Sequence, residues 1–280
     1  MSLSFKLAVM FVALSIRIKQ LFGCFKVRRR LESLPINRME YRVFSQHRED
    51  GIIDYLLESL GIDTGTFVEF GFSAAQCNCL NIALNRKFTG TFIDGSQKKC
   101  RMAKQAYRWL GLKNVQVIHS FLTAENINTV IADCGAPLEV DVLSIDVDGN
   151  DYWFWSELIA TSAKIVVIEY NASFGSRLSV TVPYDPDFRR YEKHHSGFYH
   201  GASLRALEHL GRKKGYRLVA CDATGVNAFF LRDDLCTEVT ETLSVQEAFR
   251  ENRGRVKYKG VSQKKQLEIV KDLDLVVVKD

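Results

Sequence analysis

From Val142 to Trp155 the chain reads VLSIDVDGNDYWFW, an apolar run that ends by placing Asp146, Asp148 and Asp151 within six positions. Neighbouring carboxylates repel, so such a group must protonate, pair with a cation or stay solvated. A later apolar run, AKIVVIEYN, ends in Glu169 and Asn171. Two oxygen-rich strand ends can hold a hard divalent cation, Mg²⁺ or another, with Asp148, Glu169 and Asn171 as the expected ligands. Such an ion would fix a hydroxylated molecule and lower its pKa. Without a metal, an aspartate of the set Asp146, Asp148 and Asn150 would serve as general base. Asp151 reads instead as the cap of a helix beginning near Tyr152.

These residues need a scaffold, and the flanking sequence supplies its pattern. TFVEFG, TGTFIDGS, NVQVIHS, VDVLSID and AKIVVIEYN each carry four to six apolar positions closed by a polar residue or Gly, as buried parallel strands do. Helical stretches are expected near 76–87, 97–111, 124–133 and 150–162, and an earlier one places Ile52, Ile53, Leu56, Leu57 and Leu60 at helical spacing, with Gly61 as its stop. YRLVACD and NAFFLRD are separated only by ATGV, which suits an antiparallel hairpin. The predicted fold is therefore α/β and Rossmann-like: a mostly parallel seven-stranded sheet with an antiparallel last hairpin, the strand inventory of the class I methyltransferase fold.

In an open parallel sheet, ligands bind beyond the carboxyl ends of the strands. The first strand ends in Glu69, Phe70 and Gly71, and the second in Asp94, Gly95 and Ser96. A carboxylate after the second strand suits two ribose hydroxyls, and a glycine lets backbone approach a ligand. GFSAAQC lacks the GxGxxG that a dinucleotide pyrophosphate requires, which favours S-adenosylmethionine (SAM) as cofactor. Phe121, after the third strand, is a candidate adenine contact or an ordinary core aromatic.

The net charge of +5 belongs to the N-terminus: Lys6, Arg17, Lys19, Lys26, Arg28, Arg29 and Arg30 precede the first acid, Glu32, and the rest is net acidic. A nucleic-acid partner is not expected. Leu7 to Ile16 is too short to span a bilayer. The segment reads as an interfacial helix burying Leu7, Phe11, Leu14, Ile18 and Phe22 in an anionic membrane surface, or as a helix packed on the body; a signal peptide lacks a convincing cleavage site. Seven cysteines without metal-knuckle spacing suggest reduced thiols and a cytoplasmic location, peripheral on the inner membrane face if the arm binds lipid. The expected organisation is an arm over 1–40, a SAM-dependent domain over 41–235 and a helical extension over 236–280. In the extension Ser244 and Glu247 form a capping-box pattern, a second helix is expected around Lys264 to Leu273, and no chemistry is apparent.

In order and spacing, SQHREDGIIDYL, FVEFG, CNCLNIAL, GTFIDGS, FLTAENIN, DVLSIDVDGNDYWFW, VVIEYNASFG, VPYDP, YHGASLRAL and GYRLVACDATGVNAFFLRDDL resemble a bacterial branch of the FkbM-like SAM-dependent methyltransferases, over about residues 43 to 235. The resemblance implies methyl transfer to oxygen, with a saccharide or a glycan- or lipid-linked acceptor. It places Glu69 and Gly71 in the first SAM motif, Asp94 on the ribose, Asp146 to Asp151 in the motif after the fourth strand, and Ser45, Gln46, Glu49 and Asp50 in a segment closing over the cofactor. The implied cofactor-binding set is Gln46, Glu69, Gly71, Asp94, Gly95, Ser96, Phe121 and Asp146. Two departures stand out: Ala74 and Ala75 where relatives carry a second glycine, and His200 where an aromatic is frequent. His200, near His194 and His195, is either a base peculiar to this chain or a loop residue. Tyr170, Tyr184, Tyr199 and Trp153 are candidate flat surfaces for sugar rings. The rival expectations are a metal-assisted, hydroxylase-like enzyme on the same scaffold, or a non-catalytic SAM-binding scaffold protein of a glycan pathway.

Overall fold

The computed structural model describes residues 3–27, 36–236 and 240–279. The helices are α1 (Leu3–Val27), α2 (Glu49–Ser59), α3 (Leu80–Asn85), α4 (Gln97–Trp109), α5 (Ile127–Asp133), α6 (Asp151–Glu157), α7 (Arg190–Lys193), α8 (Leu204–Lys213), α9 (Val245–Ala248), α10 (Arg253–Lys259) and α11 (Gln263–Val270). The strands are β1 (Thr66–Phe70), β2 (Thr89–Asp94), β3 (Val115–His119), β4 (Glu139–Ile145), β5 (Ser162–Glu169), β6 (Val180–Thr181), β7 (Tyr216–Cys221), β8 (Asn227–Arg232) and β9 (Val276–Val277). Seven of them form one sheet in the order β3-β2-β1-β4-β5-β8-β7. β1, β2 and β3 pair in parallel, whereas β8 pairs antiparallel with both β5 and β7. This is the Rossmann-like arrangement of class I methyltransferases, with the expected inventory and hairpin, and strand order reverses between β1 and β4.

Two compact units make up the chain. The first comprises Met1–Leu122, Asn128–Ser144 and Ala160–Ala163; the second comprises Thr123–Ile127, Ile145–Ile159 and Lys164–Asp280. In the first, Phe92 meets Phe67 edge-on at 4.9 Å and lies 5.1 Å from Phe72, so the aromatic centre of the core lies directly under the loop after β1. α2 forms because Ile52, Ile53, Leu56 and Leu57 recur on one face, and all four are fully buried. α4 starts at Ser96, whose hydroxyl accepts from the Lys99 amide, so the residue that ends β2 also caps the next helix.

The second unit is centred on Trp155, with Phe230 at 5.0 Å and Tyr216 at 5.7 Å. α6 ends at Glu157 rather than near 162 because Leu158 turns extended and buries its side chain. The expected capping box forms at Ser244 and Glu247. α11 matches the second expected helix, and α10 forms between them as an additional helix. The terminal apolar run becomes β9, which pairs antiparallel with β6 beside a cluster of Phe174, Val180, Val182, Phe198, Tyr199 and Val270.

Candidate active site

In the first unit, Asp94 ends β2 with its carboxylate held on three sides. Oδ1 accepts from the Ser96 amide at 2.7 Å; Oδ2 accepts from the Phe72 amide at 3.3 Å and from Lys99 Nζ at 3.1 Å. Each carboxylate oxygen has two lone-pair directions, so Oδ1 keeps acceptor capacity for a hydroxyl. Gly71 takes φ 70°, a left-handed conformation that a Cβ would strain, while its amide continues the ladder onto the Ile93 carbonyl at 2.9 Å. A Cβ on Gly95 would lie 2.9 Å from the Phe121 ring, and Phe121 is 57% exposed despite that contact. Phe121 is therefore an exposed aromatic beside the end of β2 rather than a core residue.

Glu69 does something other than expected. Its two oxygens accept from the Asn78 and Cys79 amides, each at 2.8 Å, and burial raises its pKa to about 7. It therefore shapes the loop from the inside and does not stand open to a cofactor. Together with the reciprocal backbone bonds between Ser73 and Gln76, this brace explains how the loop closes with Ala74 and Ala75 in place of a second glycine. Lys19, from α1, also reaches this loop, donating to the Ala75 carbonyl at 2.7 Å. The SQHRED segment is likewise internal architecture: Asp50 Oδ2 accepts from the amides of Val43, Phe44 and Ser45 and from the Ser45 hydroxyl, and Glu49 accepts from His47. Gln46 alone of the four signature residues is exposed. Ser96 contributes its amide to Asp94 and its hydroxyl to α4.

The second unit gathers the acids. Asp146, Asp148 and Glu169 each offer an oxygen, all within 4.8 Å of one another. Asp148 sits at φ 58°, a left-handed conformation uncommon outside glycine, which turns its carboxylate outward. Arg190 faces the group, 3.2 Å from Asp148 and 3.9 Å from Glu169. Burial, followed by the charge of Asp146, raises Glu169 to a pKa of about 8, against the opposing pull of Arg190. Among the described residues, Glu169 Oε2 is buried with no hydrogen-bond partner, and so is Asn150 Oδ1, whose Nδ2 donates to the Asp185 carbonyl at 2.8 Å. Asp151 corrects the expectation of a helix cap: its oxygens accept upstream, from the amides of Val147 and Gly149, and pin the turn that presents Asp148. Burial and then Glu169 raise Asp151 to about 8.

Two further expectations are corrected here. Asn171 spends its amide on structure, donating to the Phe198 and His200 carbonyls and accepting from the Ser173 amide and Arg255, so it is not a ligand beside the acids. His200 is no open base. It is fully buried, and burial, Arg190 and Arg255 hold its pKa well below the ordinary value. Its Nε2 lies 2.7 Å from Arg255, an obligate donor, so Nε2 accepts and the proton sits on Nδ1, 3.7 Å from Glu169 Oε2. Arg255, on α10, thus fixes His200, Asn171 and Ser173 at once, giving the C-terminal extension a role behind the acidic group. Among the candidate aromatics, Tyr170 and Tyr199 are buried and tied to backbone carbonyls, while Trp153 and Tyr184 are half-buried and meet at 6.3 Å.

No protein-family model matches the sequence, and no curated protein matches it. Among solved structures the chain is similar to the N-terminal domain of EvdMO1 with SAH bound, at 12% identity over 66% of this chain and 80% of that one, with a TM-score of 0.44. It is similar to the O-methyltransferase from Bacillus cereus in complex with SAH, at 13% identity over 78% and 89%, TM-score 0.43. A third likeness is to an O-methyltransferase family protein from Burkholderia thailandensis, at 11% identity over 65% and 55%, TM-score 0.41.

Proposed function

We propose that this chain is a SAM-dependent methyltransferase that methylates a hydroxyl oxygen of a saccharide or of a glycan- or lipid-linked intermediate. Asp94 carries the reading: a strand-end carboxylate aligned by two backbone amides, with acceptor capacity left for a ribose diol and an exposed aromatic close by. Lys99, half exposed, is the neighbour that a diol would displace. Gly71 leaves room for close backbone approach, and Phe121 offers a face to the adenine. SAM supplies a methyl on a sulfonium whose positive charge disappears in the transition state, so alignment and one proton are what remain for the protein to manage.

The acids of the second unit are suited to handling a proton. Glu169, with its pKa near 8 and an uncommitted oxygen, is poised for exchange around neutral pH, and Asp146 and Asp148 extend the acceptor surface outward. Asp146, Asp148 and Glu169 would also hold a divalent cation, which would lower the hydroxyl pKa; Arg190 occupies the same electrostatic role. Trp153 and Tyr184 present the flat, half-apolar surface that a sugar ring stacks on. Calorimetric titration with SAM tests the reading. Micromolar binding that Asp94→Ala weakens by about 2 kcal/mol, followed by label transfer from SAM to a saccharide hydroxyl, is the expected result; no heat with the native chain sinks it.

A further inference from the structure

Helix α1 packs on α4 and α3 through Val9, Ala13 and Ile16, all buried. Arg17 fastens it by donating to the Leu110 carbonyl at 2.9 Å, and Lys19 by its bond to Ala75. The opposite side does not carry the polar residues of an ordinary surface helix. Leu3, Leu7, Met10, Phe11, Leu14, Ile18 and Leu21 are 40–74% exposed, and their spacing of three and four puts them in one continuous stripe. Phe22, expected in the same face, and Arg28 to Arg30 lie outside the described side chains. Of the two sequence expectations for this segment, the packed helix is observed, and the face turned away from the body leaves an apolar stripe exposed.

We propose that this outer stripe of α1 docks the protein onto an anionic lipid surface, independently of any cofactor. Among the described residues, no helix is long and apolar enough to cross a membrane, so the helix would lie in the interface. Charge selects the occupant. Seven basic residues and no acid occupy the first thirty-one positions. At about 100° per residue, Lys6 and Arg17 fall along one border of the stripe. A second copy docked on the same face would bring two such basic segments together at the cost of repulsion, whereas anionic headgroups neutralise them. Trp109, next to the residue that anchors Arg17, is 63% exposed and suits the headgroup level.

The test is co-sedimentation of the full chain with vesicles of pure phosphatidylcholine and with vesicles in which about one lipid in three is phosphatidylserine. The expected result is sedimentation with the anionic vesicles only, weakened by salt and reduced at least tenfold in Leu7→Glu/Phe11→Glu/Leu14→Glu. These three side chains are exposed, so the variant should keep the native melting curve, and light scattering should find wild type and variant in the same oligomeric state. Three outcomes overturn the proposal: native protein that ignores anionic vesicles, a folded triple variant that sediments as well as wild type, or a self-associated native protein that the variant disperses without any vesicle binding.

Discussion

The acids of the two units differ in how their charge is managed. In the first unit, Asp94, Glu69 and Asp50 each receive two or more backbone amides, so their geometry is set before any ligand arrives. In the second, Asp146, Asp148 and Glu169 crowd together with Arg190 as the facing cation and an oxygen of Glu169 left over. Amide-held carboxylates are suited to grip a neutral hydroxyl. In the crowded group, burial and then the charge of Asp146 raise Glu169, so that it responds to protons and cations.

The contrast can be broken most severely at Arg255. Removing this buried guanidinium in Arg255→Met strands the acceptors of Asn171 and His200, and stability measured by urea unfolding should drop by about 3–5 kcal/mol. Asp94→Ala sharpens the other side: SAM affinity should fall by about 2 kcal/mol in titration, the worth of charged hydrogen bonds, with a smaller change in melting temperature. Asp148→Asn, on an exposed carboxylate, should leave SAM affinity within about twofold of wild type while lowering turnover, the outcome expected if these acids serve the acceptor as proposed.

Burial makes members of both groups respond to pH. Glu69 at about 7 and Asp151 and Glu169 at about 8 are all raised above their unfolded values. Their stabilising contribution is therefore complete below the unfolded carboxylate range and is lost as pH climbs through 7 and 8. Melting temperature should decline across that window. Added Mg²⁺ should offset the decline more at about pH 8 than at about pH 6, and Asp146→Asn should remove the offset; an equal Mg²⁺ effect in that variant would strike the acids from the metal reading. The smallest effect belongs to the α9 cap: Ser244→Ala should cost about 1 kcal/mol, with SAM binding untouched.

The alternation of apolar runs with helical spacing, the acid after the second strand and the acidic end of the fourth were all legible because they are local: period, length and terminating residue lie within a few positions. So were the capping box at Ser244 and the hairpin around ATGV. Tertiary structure alone decided how each polar group is satisfied. Glu69 reads like a ligand contact but turns to the Asn78 and Cys79 amides, Asn171 reads like a metal ligand but holds the loop at Phe198 and His200, and His200 loses its lone pair to Arg255, fifty-five residues away. Such partners come from distant loops, and a one-dimensional pattern carries no record of which donors a fold will bury beside which acceptors. The same holds for α1, whose apolar residues are evident in the chain but whose division into a packed face and an exposed stripe exists only once α4 is there to cover one side.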